Sequence, residues 1–218
     1  MALPISMKIN NPKYISYYID ENFEFILTQI HSCYQKMLIN IDKIENNENK
    51  IKNRLYKDYL NDQKVRDSLG LNGYLFKTET AFINDDYDEK GYSDIEVIDL
   101  KGSLKSTEAY YIIECKRLDD VNPHYKSSLN NKYISEGIQR FIEEKYPTHY
   151  RVNGMIAFIV KNIDIDKNSK HFTDLKKHLF IDKFEFSYRS KHKTLSNKQI
   201  TLYHLMFDFS SKINPSLN

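Results

Sequence analysis

A carboxylate and an ammonium group stand where an apolar stretch of the chain should hold no charge. The segment YYIIECKRL, residues 110–118, is apolar up to Glu114, and Lys116 follows two positions later. Side chains alternate along a β-strand, so Glu114 and Lys116 share one face while the Cys115 side chain points to the other. Burying a charge without a partner is costly. These charges therefore need a partner, and a bound ion is one candidate.

A second carboxylate can reach the same place. Asp94 opens the apolar segment SDIEVIDL, 93–100, and 19 residues separate it from Glu114. If the two strands are antiparallel neighbours, the start of the first lies beside the end of the second. Converging carboxylates repel unless a cation lies between them, and Mg²⁺ prefers oxygen ligands. We therefore predict a Mg²⁺ site, in which Mn²⁺ can substitute, formed by Asp94, Glu114 and the backbone carbonyl of Cys115.

A divalent ion held by carboxylates beside a lysine is suited to phosphodiester hydrolysis. A bound divalent ion acidifies water and stabilises charge on the scissile phosphate. Lys116 would orient or deprotonate the attacking water, or neutralise charge on the phosphate. The alternative interpretation is a structural salt bridge among Asp94, Glu114 and Lys116 at the edge of a sheet.

Hydrophobic spacing predicts the elements that must position these groups. Apolar residues recur at steps of three and four over 15–45, which predicts a long amphipathic helix. The same stepping continues into a second helix at 48–61, where Glu48 falls on the apolar stripe. Glu48 is therefore a further candidate ligand, and interaction with the helix dipole is the alternative. The other predicted elements are strands at 74–83, 93–100, 109–117 and 154–162, helices at 132–146 and near 169–180, and a C-terminal β-hairpin whose turn is 187–198.

The predicted order indicates an α/β fold with a mixed central sheet and helices on both faces. Short links between the first three strands predict an antiparallel meander. The strand at 154–162 follows a helix, so a right-handed crossover should place it parallel to its neighbour. We expect an N-terminal helical extension, 1–45, followed by one domain, 46–218.

The distribution of charge suits a metal site beside a polyanion. From Lys161 to Lys198 there are ten Lys and Arg residues against five Asp and Glu residues. From Asp85 to Asp99 there are seven acidic residues. An acidic centre gathers cations, and a basic flank holds a polyanion. The alternative for each run is a solvated surface loop.

Composition excludes several other classes. The net charge of +2 is too small to identify a partner. The two cysteines, Cys33 and Cys115, form no framework of disulfides and no zinc motif, which fits a cytoplasmic protein. No apolar run of membrane-spanning length occurs, so we expect no membrane association.

The motif resembles that of a known superfamily. Asp94 followed by the triplet 114–116 is similar to the signature of the PD-(D/E)XK nucleases, the restriction-endonuclease-like fold. The order of helix, three-stranded meander, helix and strand over 48–162 also resembles the core of that fold. Ser93 stands where the family has proline.

The resemblance implies a role for each of these residues. Asp94 and Glu114 would bind Mg²⁺, Lys116 would assist the water, and Glu48 would complete the site. The implied activity is Mg²⁺-dependent endonuclease cleavage of double-stranded DNA, with a role in bacterial restriction or anti-phage defence. The alternatives are a non-catalytic nucleic-acid-binding scaffold subunit of a larger complex, and an RNase or junction resolvase on the same fold.

Further residues are expected to contact nucleic acid or a protein partner. The long helix at 15–45 exceeds what the core requires, so it offers a surface for a homodimer or another protein. On the predicted strand at 74–83, we expect Glu79 to form a cross-strand ion pair. The predicted nucleic-acid contacts are Gln139, Arg140, Lys132, Arg189, Lys191 and Lys193.

Overall fold

The computed structural model of the protein describes residues 12–83, 87–146, 150–172 and 174–214, with side chains described from residue 18 onward. Asp85 and Asp86 of the acidic run lie outside these residues. Within them, the chain forms a mixed seven-stranded sheet with helices on both faces. The strands are β1 (Tyr74–Ile83), β2 (Glu89–Asp99), β3 (Tyr110–Leu118), β4 (Val152–Ile159), β5 (Lys176–Lys177), β6 (Ser187–Lys193) and β7 (Gln199–Asp208).

Most of the helices are short, and two continue into π-helical turns. Among the described helices, none combines the length and apolar content needed to cross a membrane. The helices are α1 (Pro12–Asn40), α2 (Glu48–Leu55, continued by a π-helical turn over Tyr56–Leu60), α3 (Gln63–Ser68), α4 (Leu100–Ser103), α5 (Leu129–Tyr133, continued by a π-helical turn over Ile134–Ile138), α6 (Gln139–Ile142) and α7 (Ile165–Ser169).

The sheet has the strand order β1-β2-β3-β4-β7-β6-β5. The first three strands form the predicted antiparallel meander. Strand β4 follows α5 and α6 and runs parallel to β3, as the crossover argument predicts. The last two long strands, β6 and β7, form the predicted hairpin, and β7 also pairs in parallel with β4. The α/β class with a mixed sheet is therefore confirmed.

Helix α1 packs its apolar stripe on one face of the sheet. Phe23 stacks on Tyr111 of β3, with ring centroids 4.7 Å apart, and Tyr34 stacks on Phe207 of β7 at 4.2 Å. The stripe belongs to the same hydrophobic cluster as α2 and the strands, so the predicted boundary at residue 45 does not separate two cores. The predicted stripe consists of the partly buried Ile19 and the buried Phe23, Ile26, Ile30, Cys33, Met37, Ile41 and Ile44.

The end of α1 differs from the prediction for a tertiary reason. The helix ends at Asn40, although the apolar spacing continues to Ile44. Ile44 instead forms a parallel β-bridge with Ile213, and its amide donates to the carbonyl of Lys212 at 2.9 Å. Pairing with a segment far along the chain thus ends the helix. The apolar stripe therefore packs in the core of the protein.

Two predictions for the C-terminal third are wrong. The segment predicted as a helix near 169–180 contains the end of α7 and the edge strand β5, which pairs with β6. The pattern of apolar residues there fits a helix, but the partner strand is supplied from further along the chain. The segment 187–198 is also not a turn throughout, because β6 occupies Ser187–Lys193 and only the remainder connects to β7.

The opposite face of the sheet is covered by α5 and α6. Their buried residues, among them Tyr133 and Phe141, pack with β3, β4 and β7 in a second hydrophobic cluster. Gly137 lets the π-helical turn after α5 come close to the sheet. A Cβ at this position would lie 2.5 Å from Cε of Met155 and 3.6 Å from Cγ of Lys116. The helices on this face therefore lie directly against the strand that carries Lys116.

Candidate functional site

The site forms where two strands of the sheet separate. The β2–β3 ladder pairs Ile98 with Tyr110 and ends at the pair Ile95 and Ile113. One position further on, Asp94 on β2 faces Glu114 on β3, and the ladder is interrupted there. This gap between β2 and β3 lets side chains from both faces of the sheet approach Asp94 and Glu114.

Carboxylates replace the missing strand partner along this part of β3. Asp94 Oδ2 accepts the backbone N–H of Cys115 at 2.8 Å, and Glu48 Oε2 accepts that of Arg117 at 2.9 Å. Buried backbone donors are almost always paired. These two bonds therefore satisfy backbone donors of β3 that have no partner on β2, and they fix the positions of both carboxylates.

Four oxygen atoms surround the ammonium group of Lys116. Lys116 Nζ lies 2.8 Å from Glu114 Oε1, 3.0 Å from the carbonyl of Cys115, 3.2 Å from Glu48 Oε1 and 3.7 Å from Asp94 Oδ2. The structure thus brings together all the residues predicted as ligands and the predicted catalytic lysine. They come from three separate elements: α2, β2 and β3.

The start of α2 is anchored so that Glu48 faces the site. Asn47 caps the helix by accepting the N–H of Lys50 at 3.1 Å. The guanidinium group of Arg117 donates to the carbonyl and to the side-chain oxygen of Asn46, at 2.7 and 2.9 Å. A side chain from the strand thereby holds the helix start against the end of β3. Glu48 does lie at the helix N-terminus, but its carboxylate is directed at Lys116 and Arg117.

Lys52 is a member of the site that the spacing analysis missed. It lies one turn after Glu48 on α2 and is fully buried. Its ammonium group donates to Asp94 Oδ1 at 2.8 Å and also to the carboxylate of Glu79. The only sequence signal was the four-residue spacing from Glu48, which places both side chains on one side of the helix.

Glu79 does not form the expected cross-strand pair. Its partner is Lys52 of a helix, and its backbone is left-handed in the middle of β1, with φ at 54°. Such a conformation costs a residue with a side chain about 1–2 kcal/mol. Glu79 lies opposite Asp94 in the β1–β2 ladder, between the pairs formed by Thr78 and Thr80.

Glu114 is held from three directions in the interior. Its side chain is fully buried, and Oε1 accepts from Lys116 and, at 3.0 Å, from Arg140. The hydroxyl group of Tyr146 donates to Oε2 at 2.7 Å and accepts from Arg140 at 2.8 Å. The sequence pattern predicts Arg140 as a nucleic-acid contact and gives no signal for Tyr146. Both come from the segment that follows β3 and fix the orientation of the central carboxylate.

Burial and neighbouring charges shift the pKa values of the site. Burial, followed by the charge of Asp94, raises the pKa of Glu114 from 4.5 to about 7 despite the opposing charge of Lys116. For Lys116, burial favours the neutral form, but the charges of Glu114, Asp94 and Glu48 outweigh it and raise the pKa. The pKa of Lys52 is raised against burial by Asp94 and Glu79. Both lysines therefore carry a positive charge at neutral pH.

Cys115 contributes only its backbone to the site. Its side chain is fully buried on the face covered by α1. Burial raises the pKa of the thiol well above its usual range. A thiol that stays protonated is a poor nucleophile. The carbonyl oxygen, which accepts from Lys116, is the group available to a ligand.

The other predicted nucleic-acid contacts lie outside this site. Gln139 is next to Arg140, but its side chain hydrogen-bonds to Glu143. Lys132 lies on α5 and, among the described residues, takes part in none of the hydrogen bonds of the site. The cations Arg189, Lys191 and Lys193 lie on β6, which two strands separate from β3.

The donor set suits a hard divalent cation. The atoms around Lys116 Nζ are carboxylate and carbonyl oxygens, which Mg²⁺ and Mn²⁺ prefer. They now surround an ammonium group, and no three His, Cys, Asp or Glu residues within the described ranges are grouped so as to hold a metal ion. The oxygens are of the type that the predicted ion prefers, although Lys116 Nζ lies among them. Glu48, Asp94, Glu114 and the Cys115 carbonyl are the groups that would hold the ion.

No family model, curated protein or solved structure matches this chain. The resemblance to the PD-(D/E)XK nucleases therefore depends on the motif and the order of elements described above.

Proposed function

We propose that the protein is a metal-dependent nuclease of the PD-(D/E)XK type that hydrolyses phosphodiester bonds of DNA. The observation that supports this most directly is the convergence of oxygens from Glu48, Asp94, Glu114 and Cys115 on the position of one ammonium group, Lys116 Nζ. Three of these groups are carboxylates, although one would suffice to pair a single lysine.

The balance of charge favours a ligand site over a structural salt bridge. The cluster has four carboxylates, on Glu48, Glu79, Asp94 and Glu114, against three cations, on Lys52, Lys116 and Arg140. A pairing network that only stabilised the fold would not need more carboxylates than cations. Strongly perturbed carboxyl groups of this kind are typical of functional sites.

The residues of the chain have separable tasks in the proposed reaction. Glu48, Asp94, Glu114 and the Cys115 carbonyl would hold the ion, which when bound supplies acidification of water and stabilisation of phosphate charge. Lys116 would orient the attacking water and hold a proton near it. The half-buried guanidinium group of Arg140 fixes Glu114.

The direct test is cleavage of supercoiled plasmid DNA by the purified chain. We expect nicking in Mg²⁺ or Mn²⁺ and none in EDTA, with activity lost in Asp94→Ala and Lys116→Ala. Cleavage that persists in both variants would reject this mechanism. Duplex RNA and four-way DNA junctions in the same assay separate the RNase and resolvase alternatives from a DNA endonuclease.

A row of cations on β6 supports a polyanionic partner. Arg189, Lys191 and Lys193 alternate along the strand and so share one face, and Lys176 of β5 lies beside Arg189. Among the described residues, Arg189 also hydrogen-bonds to Tyr203, and the charges of Arg189 and Lys191 act on Asp20 of α1. Part of the row lines a cavity of ≈ 550 Å³, whose lining is Asp174, Lys176, Lys177, His178, Arg189 and Lys191.

We expect this row to contribute phosphate contacts separate from the carboxylate site. Replacing Arg189, Lys191 and Lys193 together with glutamine should reduce the slope of log Kd against log salt concentration by about 2 to 3, because each lost contact with duplex DNA removes about 0.9. Fluorescence anisotropy with a labelled duplex in Ca²⁺ measures the slope. An unchanged slope would show that DNA does not lie on this face of β6.

A further inference from the structure

Asp94 separates two positions that are each filled by an ammonium group. Its Oδ1 accepts from Lys52 at 2.8 Å, while its Oδ2 accepts from the N–H of Cys115 and lies 3.7 Å from Lys116 Nζ. Metal-dependent hydrolases that use two ions commonly share a carboxylate between them. Here an ammonium group of the chain itself lies on each side of Asp94, Lys52 beside Oδ1 and Lys116 beside Oδ2.

The two positions differ in the number of oxygen groups that they offer. Around Lys116 lie oxygens of three carboxylates and one carbonyl, and Arg140 is a second cation on Glu114. Around Lys52, the described residues place two carboxylates, Glu79 and the shared Asp94. Because Mg²⁺ takes about six oxygen ligands, the Lys116 side suits an added divalent ion better than the Lys52 side does.

Lys52 is also held more firmly in place. Its side chain is only 1% exposed and projects from the middle of α2, between the buried residues Ile51 and Leu55. Removing its ammonium group from the carboxylates would leave a charge in the core without a partner, which is strongly unfavourable. The left-handed backbone of Glu79 also supports a fixed position for Lys52, because it keeps a strained residue opposite Asp94 in contact with Lys52.

We propose that Lys52 is a built-in cation that fills the position beside Asp94 Oδ1 and Glu79 and thereby limits the site to one divalent ion. This inference depends on the proposed function, because it assumes that the Lys116 side takes an ion. In this proposal, Lys52 is a positioning residue that acts through Asp94.

The test is the number of Mn²⁺ ions bound per chain, measured by isothermal titration calorimetry and by electron paramagnetic resonance of free Mn²⁺. We expect one ion for the wild type, two for Lys52→Met, and one for Lys52→Arg, which keeps the charge. In the double variant Lys52→Met with Glu79→Gln, the number should return to one. Methionine retains the buried stem of the side chain, and Glu79 is exposed enough for an ion to enter.

The outcomes separate this inference from the proposed function. Two ions in the wild type, or one ion in a folded Lys52→Met, would overturn the role of Lys52 while leaving the nuclease proposal standing. A wild type that binds no Mn²⁺ and cleaves no DNA would overturn both. If Lys52→Met does not fold, the same titration of Lys52→Gln, which keeps hydrogen-bonding groups toward Asp94 and Glu79 without the charge, decides: two ions support the inference and one ion rejects it.

Discussion

Replacing Lys116 with methionine should lower Mg²⁺-dependent DNA cleavage by about 10²–10³-fold, the range typical of removing one hydrogen-bond donor that stabilises developing charge. The reason is geometric: Lys116 Nζ contacts Glu48, Glu114 and the Cys115 carbonyl together. Single-turnover cleavage of a labelled duplex gives the rate directly.

The fold should tolerate this change. Glu114 would still be bonded by Arg140 and Tyr146, and its raised pKa allows it to take up a proton when the ammonium group is removed. Thermal denaturation should therefore show a cooperative transition. The matched control is Lys105→Met, an exposed lysine on the loop before β3. Cleavage by Lys116→Met within about tenfold of the wild type would show that the lysine only forms a structural salt bridge.

Replacing Glu114 with glutamine should change how stability depends on pH. Because the folded pKa of about 7 lies above the usual 4.5, the folded state favours the protonated carboxyl group. In the wild type, this favourable contribution is fully present below about pH 4.5 and is lost as the pH rises through about 7. The variant lacks the titrating group. In EDTA, its stability relative to the wild type should therefore increase by about 3 kcal/mol between pH 4.5 and pH 8.

The hydrogen bonds around residue 114 can accept the amide. The glutamine oxygen would accept from Lys116 and Arg140, and its amino group would donate to the hydroxyl oxygen of Tyr146. That hydroxyl group lies 3.1 Å from the carbonyl of Tyr92, to which it can donate. Urea denaturation at the two pH values measures the difference. Glu136→Gln, at an exposed position, is the control for the loss of one carboxylate, and parallel profiles for Glu114→Gln and wild type would contradict the expectation.

The two variants together distinguish the proposed nuclease from a scaffold subunit. In a nuclease, both changes should impair cleavage, and Glu114→Gln should also weaken Mn²⁺ binding because one carboxylate ligand is lost. In a non-catalytic scaffold, the stability effect would remain, but neither metal binding nor cleavage would be seen in the wild type. Stability alone therefore does not decide the function, and the metal titration does.

Several features could be derived from residue order because their causes are local. Alternation along β3 places Glu114 and Lys116 on one face, and short links force the first three strands into a meander that brings Asp94 opposite Glu114. Helical spacing likewise places Glu48 on the inward side of α2. Those rules involve near neighbours and periodicity, so they hold before any tertiary contact forms.

Other features depend on segments that meet only in the folded chain. The gap between β2 and β3 lets Lys52 approach from one face of the sheet and Arg140 with Tyr146 from the other. Neither the spacing of residues nor the composition predicts that gap, because its position depends on where the ladder between β2 and β3 stops. The strand β5 and the end of α1 at Asn40 were mispredicted for the same reason, since each is determined by pairing with a distant segment.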